Sequence, residues 1–157
     1  MIIVDFETSY LPRTPKGQAP HGLRSQTVPE YLHDPRTECL GAAVLVRRQF
    51  GNQSAWLTGE KLGRMLSAAG EGRLGAVVCH NASFDLSVWA RFYPESYHVL
   101  RDRLRRRPRE LVDTLHLARY MSSQGELAHD VGVSLKALGD WVGLAKGDTA
   151  DAVAGDG

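Results

Sequence analysis

The chain has 157 residues, is 43% hydrophobic and 24% charged, and carries 19 basic against 18 acidic side chains for a formal net charge of +1. That length fits one domain, large enough to bury a core without disulfides or metals to hold it together. The composition is that of an ordinary soluble globular protein, and the longest apolar stretch is far too short to cross a bilayer, which excludes a membrane-spanning chain.

Met1 is followed at once by Ile2-Ile3-Val4, with acidic residues within the next three positions. This is a strand pattern, buried on both faces and ending at Asp5, and it does not resemble a signal peptide. The two cysteines, Cys39 and Cys79, lie in apolar runs at no metal or redox spacing. Free buried thiols and a cytoplasmic protein are the expectation. Residues 11–26, rich in Pro, Gly and basic side chains, read as an exposed loop. Cys39 to Arg47 reads as a second strand. Gly51-Asn52 supplies turn chemistry, and Ser54 to Leu57 returns as the third strand of a meander. Glu60 to Ala69 has Leu62, Met65, Leu66 and Ala69 on one helical face, with Gly70 and Gly72 as stops. Leu74 to Cys79 reads as a buried strand, Ser83 to Tyr93 as a helix stopped by Pro94, and Leu111-Val112 as a short strand. Asp113 reads as the N-cap of a helix from Thr114 to Met121, and Ser134 as the N-cap of a last helix ended by Gly143.

Meander strands followed by βα units predict an α/β fold, with a mixed sheet flanked by helices. Residues 1–144 make one domain, and 145–157, rich in Gly, Ala and Asp, read as a flexible end. Trp56, Trp89 and Trp141 read as core residues, and His116 and His129 as structural or exposed. Lys146-Gly147-Asp148 lacks the upstream glycine of a phosphate loop.

Two segments carry chemistry. Alternate strand residues share a face, so Asp5 and Glu7 project together while Phe6 turns into the core. Paired carboxylates repel one another, and a divalent cation between them relieves this; hard oxygen ligands select Mg²⁺ or Mn²⁺ over zinc. Alone, the triplet equally describes two solvated acids. The second segment is His80-Asn81-Ala82-Ser83-Phe84-Asp85, which follows a buried strand and opens a helix. Asp85 then lies in the first helical turn, where the macrodipole favours its ionised form. Neighbouring strand ends in an α/β sheet commonly form a ligand site, so Asp5, Glu7 and Asp85 are expected to converge.

Asp5-x-Glu7 resembles the first motif of the DEDD (DnaQ-like) 3′–5′ exonucleases, which have a ribonuclease H-like fold, and His80-Asn81-x-x-Phe84-Asp85 resembles their second. The proofreading domains of phage-type family A DNA polymerases are closer still. There the first motif reads like Asp5-Phe6-Glu7-Thr8, and segments follow that resemble Tyr31-Leu32-His33-Asp34-Pro35-Arg36, Val112-Asp113-Thr114-Leu115 and Ser134-Leu135-Lys136-Ala137-Leu138. The resemblance covers nearly the whole chain, in the family's order.

It implies a Mg²⁺- or Mn²⁺-dependent exonuclease that removes nucleoside 5′-monophosphates from DNA 3′ ends by a two-metal mechanism. Asp5, Glu7 and Asp85 would be its catalytic acids and metal ligands. Phe6, Thr8, His80, Asn81 and Phe84 would contact substrate, with Tyr10 or Leu11 packing on the terminal base. The partners implied are a single-stranded DNA 3′ end and a DNA polymerase chain.

The family also needs a fourth acid on a C-terminal helix, paired with a Tyr or His. After Ser134 this chain has neither, and Asp140, Asp148, Asp151 and Asp156 lack such a partner. His98 with Asp102 has a similar spacing but precedes Asp113, on the wrong element. The expectation is a fold lacking its C-terminal portion, with weak or no activity alone. The alternatives are a catalytically incomplete nucleic-acid-binding or polymerase-associated module, and a ribonuclease H-like nuclease acting on RNA. The near-neutral charge decides nothing here, because a local basic patch is hidden in the sum. Six arginines between 101 and 109 read either as a phosphate contact or as a solvated face.

Overall fold

In the computed structural model, residues 1–9, 21–49, 51–127, 133 and 137 are described. Among the described residues there are five strands, five α-helices and one short 3-10 helix, and the chain divides into two units, Met1–Asp113 and Thr114–Gly157. The first unit holds β1 (Ile2–Thr8), α1 (Val28–His33), β2 (Cys39–Arg48), β3 (Gly51–Leu57), α2 (Gly59–Gly70), β4 (Val77–Cys79), α3 (Ala82–Phe92), α4 (Pro94–Arg106) and β5 (Leu111–Asp113); the second opens with α5 (Thr114–Ser123). The strand order is β3-β2-β1-β4-β5. The β1–β2 and β2–β3 pairs are antiparallel, and the β1–β4 and β4–β5 pairs are parallel. This is the mixed sheet flanked by helices that the meander followed by βα units predicts, and it is consistent with a ribonuclease H-like arrangement.

The register explains the core. Ile2, Val4 and Phe6 lie opposite Val46, Val44 and Ala42, and all six are buried on one sheet face. Leu62, Leu66 and Ala69 of α2, Val88 and Trp89 of α3, and Leu100 of α4 join them in one cluster. At about 25 cal/mol per Å² of apolar surface, this one-sided burial is the main stabilising term. Ile3, Asp5 and Glu7 alternate to the other face, opposite Leu45, Ala43 and Gly41. Gly41 has φ +153°, and a Cβ there would come within 2.7 Å of the Leu57 carbonyl oxygen and the Trp56 ring, so only glycine fits opposite Glu7.

Several boundaries differ from those read in the sequence. β1 runs on to Thr8, so both acids of the first motif are strand residues. Gly51 and Asn52 belong to β3, and β4 contains only Val77–Cys79, Leu74 and Gly75 lying in the turn before it. Two helices were not anticipated. Thr27 and Glu30 form a reciprocal capping box that starts α1. Pro94 ends α3 and also occupies the first turn of α4, where its fixed φ and missing N–H suit a helix start. His21 and Gly22 are buried, His21 against Thr37, while Leu23, Arg24 and Ser25 of the hydrogen-bonded turn Gly22–Gln26 are exposed, as the loop reading expects for that part. Trp89 is fully buried as expected, but Trp56 is 48% exposed because β3 is the sheet edge.

The arginine run also divides. Arg103 is buried and donates to the Ala69 carbonyl oxygen, which ties α4 to the end of α2, while Arg105, Arg106, Arg107 and Arg109 are exposed. Cys79 is buried and Cys39 partly buried, and neither forms a disulfide. Among the described residues, no helix is long and apolar enough to cross a membrane. Trp141, His129, Lys146, the boundary near residue 144 and most of the helix expected after Ser134 lie outside the described residues.

Candidate active site

The site forms where β1 outruns β4. β1 pairs with β4 only at Ile2 and Ile3, so its last residues pass beyond the end of that neighbour. At this level the Phe6 N–H donates to Asp85 Oδ1 at 3.3 Å, so a side chain takes an N–H that a longer strand would satisfy. Asp85 reaches this point because the chain leaves β4 at Cys79, turns through His80 and Asn81, and enters α3. The N–H groups of Phe84 and Asp85 both donate to the Asn81 carbonyl oxygen.

Asp113 completes the arrangement. It lies opposite Cys79 in the β4–β5 pair, and its Oδ2 accepts the N–H of Ala82, the first residue of α3, at 3.2 Å. The Asn81 side chain makes no capping bond and is exposed. An acid from β5 therefore serves the start of α3, a role that reading Asp113 only as the cap of the following helix overlooks.

Asp85 is 2% exposed. Its carboxyl is pushed up to about 7, first by burial, and then by the negative charges of Asp5 and Asp113; hydrogen bonds from Phe6 and Asn81 oppose this. A helix dipole contributes about 0.3–1 kcal/mol, whereas a rise of this size corresponds to roughly 4 kcal/mol. The dipole favours the ionised form, as expected, but burial outweighs it. The Cys79 thiol is also pushed up, first by burial and then by Asp85, Asp113 and Asp5. Both groups thus sense acids brought together from three separate stretches of chain.

Asp5 is half-buried and Glu7 exposed, both on β1. Phe6 is buried, with its ring 6.2 Å from that of Trp89. His80 and Phe84 are half-buried, and Asn81 is exposed. Phe6, Glu7, Thr8 and Phe84 line a single pocket of about 280 Å³. Tyr10 and Leu11 lie outside the described residues.

Leu23, Arg24 and Tyr31 complete that pocket, and the sequence reading did not single them out as site residues. The signal for Tyr31 was the capping box at Thr27–Glu30, which predicts a helix with Tyr31 in its first turns. The Tyr31 hydroxyl lies 2.8 Å from Thr8 Oγ1 and 2.5 Å from the Ser9 carbonyl oxygen, so α1 braces the end of β1.

In donor chemistry the acids suit a hard divalent cation: all are carboxylates, and the like charges around buried Asp85 are what such an ion relieves. In geometry, no group of three or more His, Cys, Asp or Glu among the described residues is set to hold a metal ion. The donors fit, but they do not form a closed ligand set. No protein-family model matches the chain, and no curated protein or solved structure matches it.

Proposed function

We propose that the chain is a metal-dependent 3′–5′ exonuclease domain of the proofreading type, which removes nucleoside 5′-monophosphates from DNA 3′ ends. The observation that carries this reading is buried Asp85 at a strand end, bonded to the strand that bears Asp5 and Glu7. Burying an acid among like charges costs stability, and such perturbed groups cluster at functional sites. Asp5, Glu7 and Asp85 would hold Mg²⁺ or Mn²⁺, which supplies Lewis-acid stabilisation of the attacking and leaving oxygens of an in-line displacement. The residues' own tasks are separable. Asp85 fixes the end of β1 through the Phe6 N–H. Asp113 fixes the start of α3 through the Ala82 N–H. Phe6, Thr8 and Phe84 shape the pocket for the terminal nucleotide, and the exposed Asn81 and half-buried His80 stand at the turn that carries Asp85.

One observation favours a second reading, a nucleic-acid-binding module that pairs with a polymerase chain without cleaving. It is the lack, among the described residues, of three acids at ligand spacing. Incubation with 3′-labelled single-stranded DNA and Mn²⁺, beside Asp5→Ala, separates the two. The exonuclease reading expects metal-dependent release of labelled 5′-monophosphate that Asp5→Ala abolishes. Binding with no release by the parent chain supports the module. Faster release from an RNA strand than from DNA would redirect the substrate to RNA.

A further inference from the structure

We infer that Arg24 is a phosphate-binding residue, held by a preorganised turn at the mouth of the Phe6–Phe84 pocket, and that it contacts the backbone of the bound strand near its 3′ end. The inference rests on the exonuclease reading for the identity of the strand, and adds a residue that lies in neither motif.

Three observations carry it. First, the turn is tied down on all sides. The N–H groups of Ser25 and Gln26 donate to the Gly22 carbonyl oxygen at 3.0 and 3.1 Å. The Gly22 N–H donates to Gln26 Oε1 at 2.8 Å, and Gln26 Nε2 donates to Asp34 Oδ2 at 3.0 Å. On its other side, His21 is buried with Nε2 2.9 Å from Thr37 Oγ1. Second, this turn presents an exposed arginine that has no ion-pair partner among the described residues, although Glu7 lines the same pocket. Third, the pocket lining beside Arg24 is apolar, with Leu23 exposed and Phe84 half-buried over the buried Phe6 and Tyr31. A cation beside an accessible ring is the pairing that binds single strands: the half-buried Phe84 ring can pack on a base while the guanidinium group takes phosphate oxygens.

The rigid turn matters to the energetics. An arginine on a mobile loop loses rotamer and backbone freedom when it binds, whereas this backbone is already ordered. The volume of about 280 Å³ suits one nucleotide, so the phosphate that Arg24 meets belongs to the last linkages of the strand.

The test is binding of a 5′-fluorescein oligo-dT of about ten nucleotides, a length typical of single-strand sites, in chelator. It uses Asp5→Ala to prevent degradation, beside the double variants with Arg24→Ala and Arg24→Lys. Arg24→Ala is expected to weaken binding about tenfold, and to reduce the slope of log K against log salt by about 0.7, the loss of one phosphate contact. Arg24→Lys restores the slope, because it keeps the charge. A purely structural role for Arg24 leaves the slope unchanged, so equal slopes for Asp5→Ala and its Arg24→Ala partner overturn the inference. That failure differs from failure of the exonuclease reading, which shows with Mn²⁺ as binding without release by the parent chain, or as release that survives Asp5→Ala.

Discussion

A carboxyl group that is 2% exposed and flanked by Asp5 and Asp113 makes stability depend on pH in a direction opposite to that of most aspartates. The ordinary value is 3.8, and in the folded chain it is about 7. Below pH 4 both folded and unfolded chains carry the proton. Between pH 4 and 7 the folded chain keeps a proton that the unfolded chain has released, so folding stability falls as pH rises. The loss is complete above pH 7 and amounts to at most roughly 4 kcal/mol. Asp85→Asn keeps an oxygen for the Phe6 N–H and removes the titration. In chelator, urea denaturation should show the parent losing stability from pH 5 to pH 8 while Asp85→Asn stays nearly flat and exceeds the parent at pH 8. An equal slope in the two proteins would place the titrating group elsewhere. The same substitution should abolish any metal-dependent nuclease activity, a gain in stability with a loss of function that marks a residue kept for chemistry.

At the scale of elements, α1 and α4 carry their start signals in local chemistry, the capping box Thr27–Glu30 and Pro94. Thr27 caps α1 by accepting from the Glu30 N–H while Glu30 accepts from the Thr27 N–H. Thr27→Ala should cost about 1 kcal/mol, read as a lower urea midpoint with an unchanged m-value. Because Tyr31 of the same helix reaches Thr8 and Ser9, the variant should also bind oligo-dT less tightly. In α4 the arginines separate by burial. Arg103 Nη1 donates to the Ala69 carbonyl oxygen at 2.6 Å, and its Nε lies 3.2 Å from Glu110 in an ion pair without hydrogen-bond geometry. Arg103→Met removes a buried charged donor from the Ala69 carbonyl oxygen, which keeps only the Gly72 N–H, and leaves Glu110 with Arg107 alone; it should cost about 2 kcal/mol. Arg105→Ala and Arg106→Ala, both exposed, should stay within about 0.5 kcal/mol. A charge run read along the sequence hides this division, because only the helix's packing against α2 decides which arginine turns inward. The strands were legible for the converse reason. β-branched runs such as Ile2-Ile3-Val4 and Val77-Val78 declare burial without tertiary information, and the D-x-E alternation placed Asp5 and Glu7 on one face. The Arg24 turn was not legible, since its position depends on the contacts of His21 with Thr37 and of Gln26 with Asp34, 16 and 8 positions farther along the chain.

For the molecule as a whole, the sheet buries its core on one face and gathers acids at the strand ends. Asp5, Asp85 and Asp113 come from β1, α3 and β5, so their repulsion exists only in the folded chain. Any cation that relieves it binds the folded state and not the unfolded one, and therefore stabilises by mass action. At a hundredfold excess over the dissociation constant this is about 2.7 kcal/mol, or roughly 5–10 °C in melting temperature for a domain of this size. The effect is coupled to the titration of Asp85. At pH 8 its carboxylate is ionised and the cation has most to offset; at pH 5 it holds its proton and the gain shrinks. Mg²⁺ or Mn²⁺ should thus raise the melting temperature of the parent strongly at pH 8 and weakly at pH 5, while KCl at matched ionic strength should not. Asp5→Ala should remove the difference between the two pH values. A melting temperature that ignores Mg²⁺ and Mn²⁺ at pH 8 would instead leave Asp85 as a buried structural acid, and would favour the binding module over the nuclease.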